Sequence, residues 1–107
     1  DNYGKDYVPA SANFFKSKKS AQEAHEAIRP TSLLFTPERV RPFLKPEQLK
    51  LYSLIFDRFV ASQMTPAVYD QTTVEVKKDE YLLRATGSIL RFQGFLKAYR
   101  ETTDEDD

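Results

Sequence analysis

The spacing of hydrophobic residues changes at Pro66, and this change constrains the fold more than any other feature of the chain. Before Pro66, apolar side chains recur at the three- and four-residue spacing of an amphipathic helix. They are Leu49, Tyr52, Phe56, Phe59, Val60 and Met64. After Pro66 the period becomes two, so that Thr72, Val74 and Val76 share one face of a strand. Helices followed by strands predict an α+β fold.

Three helices are predicted, each from its own start signal. Ser20 with Glu23 three residues later fits a capping box, which predicts a first helix over residues 21–28. A second, short helix should begin at Thr36, whose hydroxyl can cap it and which a proline follows. The third helix should begin near Pro46 and run for about 18 residues, a typical helix length.

The period-two segment predicts a small antiparallel β-hairpin or sheet after the helices. The first strand lies within residues 68–77, a polar turn follows, and a second strand covers residues 81–86. Gly87 predicts a bend or bulge, and a third extended stretch, interrupted at Gly94, should run over residues 89–99. Ahead of the helices, residues 1–19 have little periodicity and should form a loop.

Composition excludes several kinds of site. The chain has no cysteine, which rules out disulfides and thiolate metal sites, and its single histidine rules out a site with several histidine ligands. Sixteen basic and sixteen acidic residues give zero net charge, which argues against a free-standing nucleic-acid-binding module. No apolar run reaches the roughly 20 residues that cross a bilayer. We therefore expect no membrane partner and a cytoplasmic location.

His25 stands four residues before Arg29, and this pair is the strongest candidate for a binding site. On a helix that spacing places an imidazole and a guanidinium on one face, where they can grip a phosphate. The alternatives are a histidine that donates to a backbone carbonyl and an Arg29 that pairs with Glu26 or Glu23. Lys18, ahead of the predicted helix, can either touch a phosphate or remain solvated.

Residues 20–31, which include the letters HEAIRP, resemble a motif of the bacterial type IA DNA topoisomerases. Further blocks resemble the same family in the same order. They are residues 48–52, 58–67, 69–74 and 84–95. Taken in series, the blocks cover most of residues 3–105, so the chain is similar to an internal fragment of such an enzyme.

The resemblance implies an ATP-independent isomerase that relaxes negatively supercoiled DNA. A tyrosine of the whole enzyme would cleave a single strand and form a 5′-phosphotyrosine link, a second strand would pass through the gap, and the first would be resealed. Acidic residues of another domain would hold Mg²⁺, which would help to position the phosphate. The enzyme would be cytoplasmic and associated with the nucleoid, with single-stranded or negatively supercoiled DNA as its partner.

The resemblance also implies a division of the chain. Residues 1–65 would be the C-terminal part of the domain that bears the catalytic tyrosine, without the tyrosine itself. Residues 66–101 would be strands of the gate arch, and residues 102–107 an acidic linker. The DNA-backbone contacts that the family motif implies are His25, Arg29 and Lys18.

The catalytic residues of the family are missing from this sequence. In the family the nucleophilic tyrosine is followed at the second position by arginine, and none of the six tyrosines here has that neighbour. The metal-binding Asp-x-Asp motif follows a hydrophobic strand, whereas residues 104–106 stand in an acidic tail. We therefore assign no catalytic residue and no metal ligand to this chain, and expect it to be inactive alone.

Two further expectations remain open from the sequence. The alternative function, from a different class, is an independent, non-enzymatic α+β protein-interaction module, which zero net charge favours. If the partner strands of the arch come from elsewhere in the enzyme, residues 68–77 or 89–99 would expose an unpaired strand edge. Copies of the chain would then associate through that edge, or the hairpin would fray.

Overall fold

A computed structural model describes residues 2–18 and 26–100 of the chain. Its helices and strands, in chain order, are α1 (Pro37–Val40), α2 (Pro46–Ser62), β1 (Val68–Lys78) and β2 (Tyr81–Phe92). Single 3₁₀ turns lie at Lys5–Tyr7, Arg41–Phe43 and Gly94–Lys97. Helices followed by an antiparallel pair of strands confirm the predicted α+β class.

Two of the three predicted helices are present, and the prediction of the first is wrong over the part that is described. Residues 26–28 have no helical structure, and the remainder of the expected helix, residues 19–25, lies outside the described residues. The chain approaches Pro30, which is buried, in an irregular conformation. A proline lacks the helical N–H donor and disfavours helical geometry at the residue before it.

Helix α2 is the longest element and begins as its sequence predicts. Pro46 occupies the first helical position, where its missing N–H costs nothing. Lys45, the residue before it, has no side-chain oxygen that could accept from a helix N–H. The capping hydrogen bond instead joins the Lys45 backbone to a side chain of the helix. The Gln48 side chain accepts a hydrogen bond of 2.9 Å from the backbone N–H of Lys45. The buried end of the apolar stripe, Ala61 and Met64, lies where the helix meets the rest of the chain.

Strands β1 and β2 form a hairpin whose register separates two chemically different faces. Thr73 lies opposite Thr86, with their hydroxyl oxygens 3.2 Å apart, on a mainly polar face. Side chains alternate along each strand, so the opposite face holds Val74 opposite Ala85 and Val76 opposite Leu83. The period-two pattern therefore predicted the strand faces correctly.

The prediction of a bend at Gly87 is wrong, and the predicted third stretch is extended only over residues 89–92, as the end of β2. The predicted interruption at Gly94 is confirmed. Strand β2 continues through Gly87 to Phe92, and a Cβ built on this glycine would meet nothing within 4 Å. No close approach requires a bulge there. The irregularity lies between Val68 and Tyr69, at the end of the hairpin away from its turn. Gly94, at φ 51°, then turns the chain into a 3₁₀ turn, because that left-handed backbone cannot continue a strand.

The described residues bury little hydrophobic surface and extend far. Their buried hydrophobic side chains are Ala61 and Met64, each 7% exposed. The radius of gyration is 19.4 Å, against about 13 Å for a compact domain of 100 residues. Much of this extension comes from the hairpin, which is exposed along nearly all of both strands. Among the described residues, no helix combines the length and apolar content that crossing a membrane requires.

Candidate functional site

Of the three residues predicted to bind DNA, the structure describes Arg29 and Lys18. His25 lies outside the described residues. The Arg29 side chain is 50% exposed, and its Nε donates to Oε1 of Glu26 over 2.5 Å. One further Arg29 nitrogen, Nη1, lies 3.5 Å from the carbonyl oxygen of Pro30. The ion pair with Glu26, one of the alternatives open from the sequence, is therefore the arrangement observed. Lys18 is exposed at the end of the N-terminal segment.

The N-terminal segment is attached to the end of α2 by a pair of amide side chains. Asn13 Nδ2 donates to the carbonyl oxygens of Ser62 and Met64 over 3.0 and 3.1 Å. Its backbone N–H donates to Gln63 Oε1 over 3.1 Å, and Gln63 Nε2 donates to the Asn13 carbonyl over 3.2 Å. The last carbonyls of a helix have no partner within it, so Asn13 acts as a cap supplied from a distant segment.

Thr65 joins three segments of the chain at the same place. Its backbone N–H donates to the carbonyl of Tyr7 over 3.1 Å, and its hydroxyl donates to the carbonyl of Asp6 over 2.8 Å. Its own carbonyl accepts from the backbone N–H of Phe95 over 2.9 Å. We call this meeting point the joint. It comprises residues 6–7, 13, 62–66 and 92–95.

Gly94 is fixed in the joint by both its backbone angle and its surroundings. It is buried, at φ 51°, and a Cβ added to it would lie 2.3 Å from the carbonyl oxygen of Pro66. Beside it the rings of Tyr7 and Phe92 pack with centroids 4.8 Å apart. Lys97 places its Nζ 4.7 Å from the centroid of the Tyr7 ring, within cation–π range. Only glycine fits this position.

The basic residues of the hairpin are held in cross-strand ion pairs. Arg84 Nη2 lies 2.5 Å from Oε1 of Glu75, its direct partner in the register. Arg91 donates from Nε to a carboxylate oxygen of Asp70. All four side chains are about half exposed or more, so each pair stabilises the hairpin by about 0–1 kcal/mol. The charges of Arg84 and Arg91 are therefore balanced on the hairpin itself.

Two carboxyl groups, Glu38 on α1 and Asp57 on α2, have perturbed pKa values. Burial raises the pKa of the Asp57 carboxyl above its ordinary value, and the negative charge of Glu38 adds to the increase. Hydrogen bonds from its own backbone N–H and from the Thr36 hydroxyl lower the pKa of Glu38, with a smaller contribution from Arg41. Among the described residues, neither carboxyl group belongs to a cluster of side chains that could bind a metal ion. Within residues 2–18 and 26–100, no three His, Asp or Glu side chains converge on a site that could hold a metal.

Sequence reasoning missed the joint. Asn13 was assigned only to a loop, since its partners Ser62 and Met64 lie about 50 residues away and leave no local pattern. Gly94 was predicted only as a break in the extended stretch, and its contact with Pro66 was not, because Pro66 lies 28 residues earlier in the chain.

Comparison with known proteins places the whole chain in one group. Residues 1–107 match the profile of the family described as DNA topoisomerase. DNA topoisomerase 1 of Campylobacter jejuni is 50% identical over 99 residues, which are 92% of this chain and 14% of that protein. The Rickettsia typhi enzyme of the same name is 44% identical over 109 residues, 99% of this chain and 14% of its own length.

A solved structure shows the same relation. The full-length topoisomerase I from Thermotoga maritima is 34% identical, with a TM-score of 0.69. The similarity covers 95% of this chain and 16% of that one. The chain therefore spans about one seventh of the length of the relatives that it matches.

Proposed function

Because the chain belongs to the DNA topoisomerase family, we propose that it works as one part of a type IA enzyme that relaxes negatively supercoiled DNA. In this reaction a tyrosine cleaves one strand and holds its 5′ end as a phosphotyrosine. A second strand passes through the gap, and the first is resealed without ATP. The observation that carries the proposal is the match along all of residues 1–107, with the family's blocks in their expected order.

Within that enzyme we assign residues 1–65 to the tyrosine-bearing domain and residues 66–101 to the gate arch, with residues 102–107 as a linker. The shape of the hairpin supports the assignment to an arch, because it projects from the joint and is exposed along both strands. Its attachment supports it as well. Thr65 and Gly94 fix both ends of the hairpin to the end of α2 and to the N-terminal segment.

We propose that Arg29, with His25 and Lys18, contacts the DNA backbone near the cleaved phosphate. The ion pair of Arg29 with Glu26 does not prevent this, because an exposed pair is worth only about 0–1 kcal/mol. A phosphate can accept two charge-assisted hydrogen bonds from the same guanidinium, whereas the Glu26 carboxylate accepts one. Exchange of Glu26 for a phosphate would therefore cost little when a strand lies beside residues 26–30.

The nucleophile and the Mg²⁺ ligands are proposed to lie outside this chain. The described residues do not fit a metal site, since they bring together no set of three possible ligands. An independent protein-interaction module accounts for the exposed apolar side chains but not for the family match. The topoisomerase part is therefore the better proposal.

The proposal is tested by cleavage of a 3′-labelled single-stranded oligonucleotide, with the reaction stopped by denaturant. We expect the full-length gene product to retain label covalently, because the tyrosine bonds to the 5′ end of the labelled fragment, and to do so without ATP. The 107-residue chain alone should retain none. Label retained from a 5′-labelled oligonucleotide instead, or no covalent product at all, would overturn the proposal.

A further inference from the structure

A cleft opens beside the joint, between the N-terminal segment, the end of α2 and the 3₁₀ turn after the hairpin. Its volume of about 530 Å³ lies in the range of small-molecule binding sites. The residues that shape it are Phe15, Arg58, Met64, Phe95, Leu96 and Tyr99. Neither Lys18 nor Arg29 lines the cleft, so it is separate from the DNA-backbone contacts proposed for those two residues.

The walls of the cleft combine aromatic rings with a single cation. The Arg58 guanidinium carbon lies 5.3 Å from the centroid of the Tyr99 ring, and Nη1 donates to the Tyr99 hydroxyl over 3.0 Å. A guanidinium has five N–H donors, so this contact leaves others for a ligand. The ion pairs found among the described residues do not include Arg58. No carboxylate lines the cleft.

The positive charge continues around Tyr99 on the outer surface. Lys97 and Arg100 line a shallow depression next to the cleft, and it shares Leu96 and Tyr99 with the cleft. An apolar peptide side chain would contact the rings but would leave the Arg58 donors unused. A flat aromatic ligand with a negative charge on either side would use the rings, Arg58 and the neighbouring cations together.

We infer that this cleft binds one unpaired nucleobase of single-stranded DNA, with the base against Tyr99 and Arg58 donating to the adjoining phosphate. The inference rests on the proposed function only for the identity of the ligand. It adds a base-stacking site that is distinct from residues 26–30. Because every base has a π face, the site would hold a strand without reading its sequence.

The test is fluorescence of 2-aminopurine placed once in an oligothymidylate and titrated with the 107-residue chain at low salt. We expect quenching on binding, because the probe base stacks on the ring. Arg58→Ala should weaken binding by about fivefold or more. Tyr99→Ala should abolish the quenching, whereas Tyr99→Phe should keep it. Arg58 is exposed, so its replacement should leave the helical circular dichroism unchanged.

Arg84→Ala is the matched control, because it removes the same charge from the hairpin, away from the cleft. If Arg58→Ala and Arg84→Ala weaken binding equally and no quenching is seen, the binding depends only on total charge. That result would overturn the inference. The result also separates the two proposals. Quenching without a covalent product in the cleavage assay would support the cleft and overturn the proposed function. A covalent product without quenching would support the proposed function and overturn the inference about the cleft.

Discussion

At the scale of single residues, Gly94 has the most constrained position of the three glycines. Its positive φ and the carbonyl of Pro66, 2.3 Å from where a Cβ would stand, each exclude a side chain. The left-handed backbone costs a residue with a Cβ about 1–2 kcal/mol, and a clash in a packed site costs about 1–3 kcal/mol more. The local sequence gave no measure of this, because the clash comes from a segment 28 residues earlier in the chain.

We predict that Gly94→Ala lowers the free energy of unfolding by about 2–5 kcal/mol, since the two costs add. Urea unfolding followed by circular dichroism measures it. Gly87→Ala is the control, because Gly87 has open space around it and lies in a strand. That replacement should change stability by no more than about 1 kcal/mol. Equal effects of the two replacements would show that Gly94 is not held as described.

Arg29→Ala should weaken binding of single-stranded DNA to the full-length gene product by about tenfold, because a charge-assisted contact to phosphate is lost. The slope of log affinity against log salt should also fall by about 0.7, the value for one phosphate on a single strand. Arg84→Ala, which removes a charge already paired with Glu75, should leave both quantities close to those of the unmodified protein. An unchanged salt slope for Arg29→Ala would contradict the proposed contact.

Asp57→Asn should stabilise the chain at pH 7 and have little effect at pH 3. The raised pKa of Asp57 means that the folded state holds the proton more tightly than the unfolded chain does. Stability from this group is therefore full below an unfolded pKa of about 3.9 and is lost as the pH rises through the folded value. Asparagine removes the charge that burial penalises.

Thermal unfolding of the Asp57→Asn variant at the two pH values measures this effect. Glu47→Gln is the control, because Glu47 lies in the first turn of α2, where a negative charge favours the helix. That replacement should destabilise the chain at pH 7. A stability gain for Asp57→Asn that is the same at pH 3 would contradict the role of burial.

At the scale of elements, hydrophobic periodicity predicted the structure within single helices and strands. It did not predict the features that depend on contacts between segments distant in sequence. The stripe of α2 and the two faces of the hairpin follow from spacing alone, since each is set by alternation along one element. The first helix was predicted from a capping box, yet residues 26–28 are irregular beside the buried Pro30. The attachment of Asn13 to the end of α2 spans about 50 residues, and no local pattern reports it. The site residues His25, Arg29 and Lys18 came from the family resemblance, and their role is still a prediction.

The hairpin should make copies of the chain associate. Both strands pair only with each other among the described residues, so each leaves one backbone edge unpaired. Val74 and Val76, which lie on β1, are each 55% exposed beside its edge. Static light scattering should show a mass that rises with concentration, and Val74→Lys should lower it. Thr73→Lys, on the other face, should have the smaller effect. A strict monomer with strong amide protection across residues 68–77 and 89–99 would contradict the prediction.

At the scale of the whole molecule, the exposed apolar surface is the dominant feature. Phe14 is 92% exposed, Phe43 84% and Leu83 69%, whereas the buried hydrophobic side chains of the described residues are Ala61 and Met64. A chain that buries so little gains only a modest hydrophobic stabilisation. Since it covers 14–16% of the relatives that it matches, we propose that other parts of the enzyme cover this surface.

The central claim is that the hairpin forms part of a gate through which DNA passes, and excision of the hairpin tests it most directly. Val68 and Phe92 are paired across the two strands, so their backbones are about 5 Å apart and a short Gly-Ser linker can replace residues 68–92. In the full-length gene product, we predict that this variant still forms the covalent adduct with a single-stranded oligonucleotide. It should no longer relax negatively supercoiled plasmid. Relaxation at the rate of the unmodified protein would contradict the account.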